Sequence, residues 1–390
     1  MITAPERLIF TALGAVSIFF HIGLIFSGLV PNLVARPLHL MLALPWIFLF
    51  RAGSRSTLMS GVILCVAGEL ACLYVVLNEV QLSDQYGSLE GNGQLLLAIT
   101  LLAVVLEMAR RAIGWPLPMV ALVAIVYGLF GQYLPGEFGY PGMPIESFLG
   151  TLTIAEGGIW GSLTGISVNV VAVFVIMGAV LNAGEAGQGF MNLASAAAGH
   201  LRGGAAKVSV LSSAFFGSIS GSASANVAST GAITLPAMRR LGYPPALAGA
   251  VEAVASSGGQ ILPPLMGAGA FVMVELTGIP YTEIILAALF PAILYFVAVW
   301  IGINAFASRY DLAGLAPDDR PTTRDIVVTV LFFAVPFAVL LERMFLGGFT
   351  PQYAASVAIL ISFVMLLINA RFTLSVTRTR SRIDAVCVNA

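Results

Sequence analysis

The chain is a succession of apolar segments separated by short polar connections, and most segments approach the length that crosses a bilayer as a helix. In hydrocarbon every backbone polar group must be satisfied within the protein, so only helices and closed barrels can span a membrane. The segments lack the short alternating pattern of barrel strands. The sequence therefore predicts an all-α fold, a polytopic integral membrane helix bundle.

Composition supports this class and argues against an enzyme. With 58% hydrophobic and 9% charged residues, the chain has too few charges to solvate a soluble globule. Only three histidines are present, and no metal motif such as His-Glu-x-x-His occurs. The run 217–221 has the form of a nucleophile elbow, but Ile219 stands where that motif needs serine, which disfavours an intramembrane serine protease. We predict no catalytic residues and no cofactor besides a coupling ion.

The basic residues set a predicted topology. Predicted spans cover 8–30, 37–50, 57–80, 94–113, 116–134, 166–183, 208–237, 245–276, 284–307, 325–345 and 352–370. With both termini cytoplasmic and every run except 208–237 crossing once, only Arg36 and Arg343 of the 18 basic residues fall outside. A single crossing by 208–237 would break this bias, so we predict a re-entrant helical hairpin there.

The predicted hairpin has a polar, glycine-broken centre. Such backbone is tolerated at membrane depth only where it is buried or lines a cavity. Hydroxyl and amide oxygens without a fixed negative charge suit a weakly bound monovalent cation. The predicted sodium ligands are Ser218, Ser220, Gly221, Ser222 and Asn226. The alternative is that the small residues allow close helix packing, while the hydroxyls bond back to their own helix.

A second interruption lies within the element 245–276. Proline lacks an N–H and disfavours helix at the residue before it, so the backbone must unwind and release carbonyl groups. Two unwound elements close together in sequence indicate a transporter site near the bilayer midplane. The predicted substrate-binding wall, for a small anion, comprises Gly258, Gly259, Gln260, Pro263 and Pro264. A packing kink is the alternative.

Glu252 lies two turns before this interruption. An intramembrane carboxylate is by default a functional hypothesis. The alternative is a structural role, in which Glu252 pairs with a neighbouring helix.

Three stretches, 217–231, 236–243 and 252–267, resemble the large permease subunit of tripartite ATP-independent periplasmic (TRAP) transporters. The chain is most similar to the fused form, in which a small four-helix subunit precedes the large one. The resemblance implies a sodium-coupled, elevator-type permease in the cell inner membrane, surrounded by lipid, that does not use ATP. It also implies import of organic acids (carboxylates) delivered by a periplasmic solute-binding protein.

The resemblance also implies an organisation of the chain. Residues 1–113 would form a static four-helix scaffold, and 114–165 a connecting helix with an extracytoplasmic segment. Residues 166–370 would form the first inverted repeat, with the hairpin 208–237 in the moving transport domain and the broken helix 245–276 facing it. Residues 371–390 are predicted to be a basic, aperiodic cytoplasmic tail.

The chain departs from the family pattern in one respect. The hairpin signature occurs once, whereas the family has two repeats, so a truncated or frameshifted product, or one half of a split protein, is expected. A second chain supplying the missing repeat would then be a partner, and no nucleic-acid partner is expected. The alternative function is a non-transporting membrane scaffold or assembly subunit, or an inactive truncated fragment.

Overall fold

A computed structural model describes residues 4–50 and 53–389. The described residues form helices and no named strand, with one isolated bridge between Ile368 and Leu374. This confirms the predicted all-α membrane class. Six helical segments among them are long and apolar enough to cross a membrane: Glu6–Ser27, Arg55–Leu77, Pro116–Tyr133, Ile145–Ala183, Tyr281–Arg309 and Pro317–Leu346.

The chain forms two compact units, of which the first ends at Asn169. Gly68 is buried in this unit, where an added Cβ would press against side chains of the core residues Leu44 and Val104. The glycine therefore lets neighbouring helices approach closely, as small residues do in membrane bundles. The helices of this unit are α1 (Ala4–Ser27), α2 (Asn32–Phe48), α3 (Arg55–Leu77), α4 (Glu79–Asp84), α5 (Gly91–Ile113), α6 (Pro116–Phe130), α7 (Ile145–Thr153) and α8 (Ser162–Ile166).

The second unit begins at Val170 and contains both predicted interruptions. Its central helix is α11, which contacts α10, α12 and α13. The helices of this unit are α9 (Ala172–Ala183), α10 (Ala186–Ala198), α11 (Gly204–Ser220), α12 (Ala223–Arg240), α13 (Pro245–Gly259), α14 (Ala268–Thr277), α15 (Tyr281–Arg309), α16 (Thr323–Leu341), α17 (Pro351–Leu366) and α18 (Val376–Asn389).

The segment predicted as a hairpin folds into the two antiparallel helices α11 and α12. Gly221 ends α11 in the left-handed conformation, with φ of 60°, which favours glycine because it has no Cβ. Ser222 starts α12, since its hydroxyl accepts a hydrogen bond from the backbone N–H of Ala225 at 3.3 Å. Ser213 of α11 then lies opposite Thr230 of α12, with their hydroxyl oxygens 3.1 Å apart.

The element predicted to be broken is interrupted over 260–267, between the end of α13 and the start of α14. Pro245 stands in the first turn of α13, where its missing N–H costs no helical hydrogen bond. The helix stops at Gly259, before the two prolines. The unwinding therefore begins several residues ahead of Pro263.

The terminal segment 371–390 differs from the aperiodic tail expected from the sequence. Its residues Val376–Asn389 form α18, which packs against α9 and buries Val386 and Cys387. The Arg382 guanidinium pairs with the Glu185 carboxylate at 2.5 Å. It also donates to the carbonyl of Ile368 at 2.7 Å, just after the end of α17. A few apolar and charged contacts thus fix a segment whose composition is mostly polar.

Candidate functional site

The tip of the α11–α12 hairpin lies directly against the loop 260–267. The Leu265 backbone N–H donates to the carbonyl of Ser218 at 3.2 Å. A Cβ added at Gly221 would overlap the carbonyl oxygen of Met266, and one added at Gly217 would overlap the Cα of Gly259. The two interruptions therefore meet backbone to backbone, which requires glycine at the contact.

Hydrogen bonds within the second unit also hold the loop 260–267 in place. The carbonyl of Gln260 accepts the N–H of Gly267 at 2.8 Å, closing the loop. The buried hydroxyl of Tyr281 on α15 lies 2.6 Å from the carbonyl of Pro264 and 2.9 Å from that of Leu265. Some of the carbonyls released by unwinding are thus already engaged by the protein.

Two of the predicted sodium ligands are buried side chains that bond to nearby backbone. Ser218 donates its hydroxyl to the carbonyl of Phe215 at 2.8 Å, one turn back along α11. The Asn226 side chain is fully buried, and its Nδ2 donates to the carbonyl of Ser213 at 2.8 Å. Asn226 therefore joins the two arms of the hairpin, one turn into α12 from the tip.

The other three predicted ligands, Ser220, Gly221 and Ser222, form the half-buried turn itself. The Ser222 hydroxyl also lies 3.2 Å from that of Ser224. The structure thus groups these oxygens at the tip, beside the loop 260–267. Their role as ion ligands stays a prediction.

The five predicted substrate-wall residues differ in burial: some pack against neighbouring helices, and others are partly or fully exposed. Gly258 is buried where a Cβ would overlap the ring of Tyr295 on α15, while Gly259 faces α11. Pro264 is buried, Pro263 half-buried and Gln260 exposed. Both glycines are thus used for helix packing, and Gln260 is the exposed polar side chain of the set. Their substrate role stays a prediction.

A cluster of hydroxyl groups surrounds the buried carboxylate of Glu252, which is 1% exposed. Its Oε2 accepts from the hydroxyls of Ser209 at 2.8 Å and Thr234 at 2.5 Å. Its Oε1 lies 2.5 Å from the hydroxyl of Thr230 and 3.4 Å from that of Ser256. We use the name Glu252 cluster for six residues: Ser209, Ser213, Thr230, Thr234, Glu252 and Ser256.

Glu252 was predicted from the sequence as a functional candidate, but the hydroxyl groups around it were not. A signal was present, because polar residues recur four apart on three consecutive segments, and this spacing places side chains on one helix face. The pairs are Ser209 and Ser213 on α11, Thr230 and Thr234 on α12, and Glu252 and Ser256 on α13. Only the packing of the three helices shows that these faces converge.

One buried cation lies near the cluster in sequence. Lys207 precedes Ser209 by two residues on α11, and its ammonium lies 5.0 Å from the centre of the Trp300 ring on α15. Such a cation–π contact compensates part of the cost of burying the charge. Within the described parts of the chain, Lys207 and Glu252 take part in no ion pair.

A helix bundle with two interrupted elements packed against each other is typical of secondary transporters. Residues 100–387 match the family described as "Tripartite ATP-independent periplasmic transporter, DctM component". This match covers well over half of the chain, and the chain belongs to that family. It is a multi-pass protein of the inner membrane.

Similar proteins agree with this assignment. The chain is 28% identical to the uncharacterized protein y4mL of Sinorhizobium fredii, over 68% of this chain and 59% of the relative. It is 29% identical to the C4-dicarboxylate TRAP transporter large permease protein DctM of Pseudomonas aeruginosa, over 52% and 47% of the two chains. It is 25% identical to the ectoine/5-hydroxyectoine TRAP transporter large permease protein UehC of Ruegeria pomeroyi, over 64% and 58%.

The relatives bear on one further expectation and show how much of their length the chain covers. Those with functional names are transporter permease components, which confirms the prediction that the chain is not an enzyme. The chain spans about half to three-fifths of the length of these curated relatives.

Proposed function

We propose that the chain is a permease component of a sodium-coupled secondary importer of organic acids, which a periplasmic solute-binding protein delivers. The observation that carries this proposal is the contact between the hairpin tip and the loop 260–267, where Leu265 bonds to Ser218. Unwound backbone and half-helix ends are the groups with which transporters bind ions and anionic substrates. The Pseudomonas relative, named for C4-dicarboxylates, supports a carboxylate substrate.

Helix ends with opposite partial charges, two negative and two positive, meet at this contact. The helices α11 and α13 end there, at Ser220 and Gly259, and carry the negative ends of their dipoles. The helices α12 and α14 begin there, at Ala223 and Ala268, and carry the positive ends of their dipoles, which favour an anion. The first pair of ends suits a cation and the second a carboxylate, so one place can serve the coupling ion and the substrate.

In the proposed mechanism, sodium binds at the tip through oxygens of Ser218, Ser220, Gly221, Ser222 and Asn226. The substrate anion then lies along the edge of the loop that includes Gln260. Because the tip and the loop are hydrogen-bonded to each other, they would move as one body against the rest of the bundle. This accounts for coupling, since an ion that orders the tip also shapes the substrate edge.

Sodium binding can be tested without a substrate. The purified full chain in detergent should melt at a higher temperature in sodium chloride than in choline chloride at equal ionic strength, because a ligand that binds the folded state stabilises it. Equal melting temperatures over a wide range of sodium concentration would contradict a sodium site in this chain.

Transport is tested by reconstitution. Vesicles containing the full chain should accumulate radiolabelled succinate, a C4-dicarboxylate, when a cognate binding protein and an inward sodium gradient are both present. Omitting either should abolish uptake. Correctly inserted chain that gives no uptake under all of these conditions would favour the non-transporting scaffold.

A further inference from the structure

We propose that Glu252 is a reversible proton-binding site, connected to the predicted sodium ligand Asn226 through the Thr230 hydroxyl, and that a proton is carried in addition to the sodium ion. Proton binding follows from the geometry of the Glu252 cluster. Its role in coupling rests on the proposed transport function, so proton binding and coupling each need their own experiment.

The two threonines of the cluster each have a choice of acceptor. A hydroxyl has one proton to donate. The Thr230 hydroxyl oxygen lies 2.5 Å from Glu252 Oε1 and 2.8 Å from the carbonyl of Asn226. The Thr234 hydroxyl oxygen lies 2.5 Å from Glu252 Oε2 and 3.0 Å from the carbonyl of Thr230. Each threonine can therefore donate either to the carboxylate or to its own helix.

This choice lets the cluster satisfy both protonation states of Glu252. When the carboxylate is ionised, Ser209, Thr230 and Thr234 all donate to it, and hydrogen bonds to a charged group are the strong ones. When a proton from water binds Oε1, Glu252 donates to the Thr230 oxygen, and Thr230 turns its own proton to the Asn226 carbonyl. Only hydroxyl hydrogens rotate, and release returns the proton to water with no other bond changed.

The spacing of the oxygens favours a proton over a metal ion. The contacts of 2.5 Å and 2.8 Å between hydroxyl and carboxylate oxygens are hydrogen-bond distances. Oxygens that coordinate a hard cation such as Ca²⁺ each lie about 2.3–2.6 Å from the ion, and so stand farther from one another. The cluster as folded therefore fits the smallest cation.

Among the described residues, Glu252 bonds to hydroxyl groups and not to the charged or titratable groups of the surrounding helices. On the helices packed against α13 these groups are Lys207 on α11, Arg239 and Arg240 on α12, and Tyr281, Glu283, Tyr295 and Arg309 on α15. Lys207 faces the Trp300 ring, and the Tyr295 hydroxyl donates to the carbonyl of Val254. The arginines and Glu283 are exposed. None of these groups forms a hydrogen bond or ion pair with Glu252 within the part of the chain that the structure describes.

The position of the cluster explains how a proton would affect transport. The cluster joins both arms of the hairpin to α13, and Ser256 lies two residues before Gly258 of the predicted substrate wall. Charge-assisted hydrogen bonds are roughly twice as strong as neutral ones, so protonation weakens the attachment of α12 to α13. A proton can thus bias the same hairpin contact that the sodium ion is proposed to order.

Proton binding is measured by infrared difference spectroscopy on the purified full chain in lipid nanodiscs. Lowering the pH should produce the carbonyl band of a protonated, buried carboxyl group. This band should be lost in Glu252→Gln, which keeps the size and polarity of the side chain, and kept in Glu275→Gln, whose side chain is exposed on α14. The band that belongs to Glu252 is the one missing from the Glu252→Gln spectrum, and identical pH-difference spectra of the wild type and Glu252→Gln would overturn the proposal.

A second pair of variants tests the hydroxyl groups that bond to Glu252. These variants keep Glu252 itself, so the proposal stays testable if Glu252→Gln fails to fold. Ser209→Ala removes one donor to Glu252 and should shift the position of the band, because hydrogen bonding sets the carbonyl frequency. Ser257→Ala is the matched control, since Ser257 is exposed and bonds to the carbonyl of Ala253. Identical band positions in wild type and Ser209→Ala would show that the absorbing carboxyl is not the one in this cluster.

The coupling role needs the reconstituted transporter. In wild-type vesicles an inward proton gradient should accelerate sodium-driven succinate uptake, and in Glu252→Gln this acceleration should vanish while sodium dependence remains. An unchanged acceleration in Glu252→Gln would refute coupling through Glu252. Absence of all uptake would instead refute the proposed transport function. The infrared experiment would still decide whether Glu252 binds a proton, because it does not depend on transport.

Discussion

Gly217 is the residue that sets how closely the hairpin approaches α13. A Cβ at this position would overlap the Cα of Gly259. We expect Gly217→Ala to destabilise the second unit by about 1–3 kcal/mol, because overpacking forces the two backbones apart. The change is measured as a lower thermal unfolding midpoint of the full chain in detergent.

The matched control for this variant lies on the partner helix. Gly249 of α13 has open space around the position of an added Cβ. Gly249→Ala should leave the unfolding midpoint unchanged or raise it, since alanine is the better helix former. Equal midpoints for the two variants would mean that the close approach of α11 and α13 does not limit stability.

Asn226 links the predicted sodium site to the hairpin structure. Its side chain bonds to the Ser213 carbonyl on the opposite arm and lies one turn from the tip. We expect Asn226→Ala to insert normally but to lower the apparent sodium affinity by about tenfold, which corresponds to about 1.4 kcal/mol. The measurement is the sodium concentration that gives half of the maximal thermal stabilisation.

Asn182→Ala serves as the comparison, because Asn182 is exposed at the end of α9. It should leave sodium dependence intact. Since Asn226→Ala also removes a buried hydrogen bond, the sodium-dependent shift is compared rather than the absolute midpoint. An unaltered sodium requirement in a folded Asn226→Ala protein would remove Asn226 from the ion site.

At the scale of elements, the helix α18 depends on one ion-pair network. Arg382 bonds to the Glu185 carboxylate and to the carbonyls of Leu366 and Ile368. Arg382→Ala would leave these partly buried acceptors without their donor, so we expect α18 to detach from α9 more often. Limited proteolysis of the terminal segment should then be several-fold faster than in the wild type.

Arg380→Ala provides the control for that experiment, since Arg380 is exposed on the same helix. Its cleavage rate should match that of the wild type. If Arg382→Ala were cleaved no faster than Arg380→Ala, the apolar contacts of Val386 and Cys387 would be sufficient to hold α18.

At the scale of the whole molecule, the hairpin fixes how the chain is threaded through the membrane. A hairpin that returns to its starting side places Arg239 in the cytoplasm, in keeping with the positive-inside bias. Arg239→Cys should therefore react with an impermeant maleimide only when the reagent has access to the cytoplasmic side. The three native cysteines are buried and should contribute little background.

Glu137→Cys marks the opposite side, because Glu137 is exposed in the segment predicted to be extracytoplasmic. It should react with reagent added outside intact cells. Labelling of Arg239→Cys from outside would show that the segment 204–240 crosses the membrane, and the re-entrant interpretation would then be wrong.

Much of this architecture could be predicted because its signals are local. Span-length apolar runs dictate membrane helices, and glycine and proline act on the backbone within a residue or two of their own position. A turn within the predicted hairpin 208–237 and an interruption of the element 245–276 were therefore visible in the sequence, as was the family resemblance. Helix ends were less predictable: the hairpin predicted over 208–237 forms the helices Gly204–Ser220 and Ala223–Arg240.

Tertiary structure alone decided which polar groups meet. Ser209 and Glu252 are 43 residues apart, and their hydrogen bond depends on how α11 and α13 are rotated about their axes. The same holds for the Tyr281 hydroxyl beside the loop 260–267 and for Arg382 beside Glu185. A one-dimensional pattern specifies which face of a helix is polar, but packing decides which faces converge, since that depends on the shapes of all the side chains between the helices.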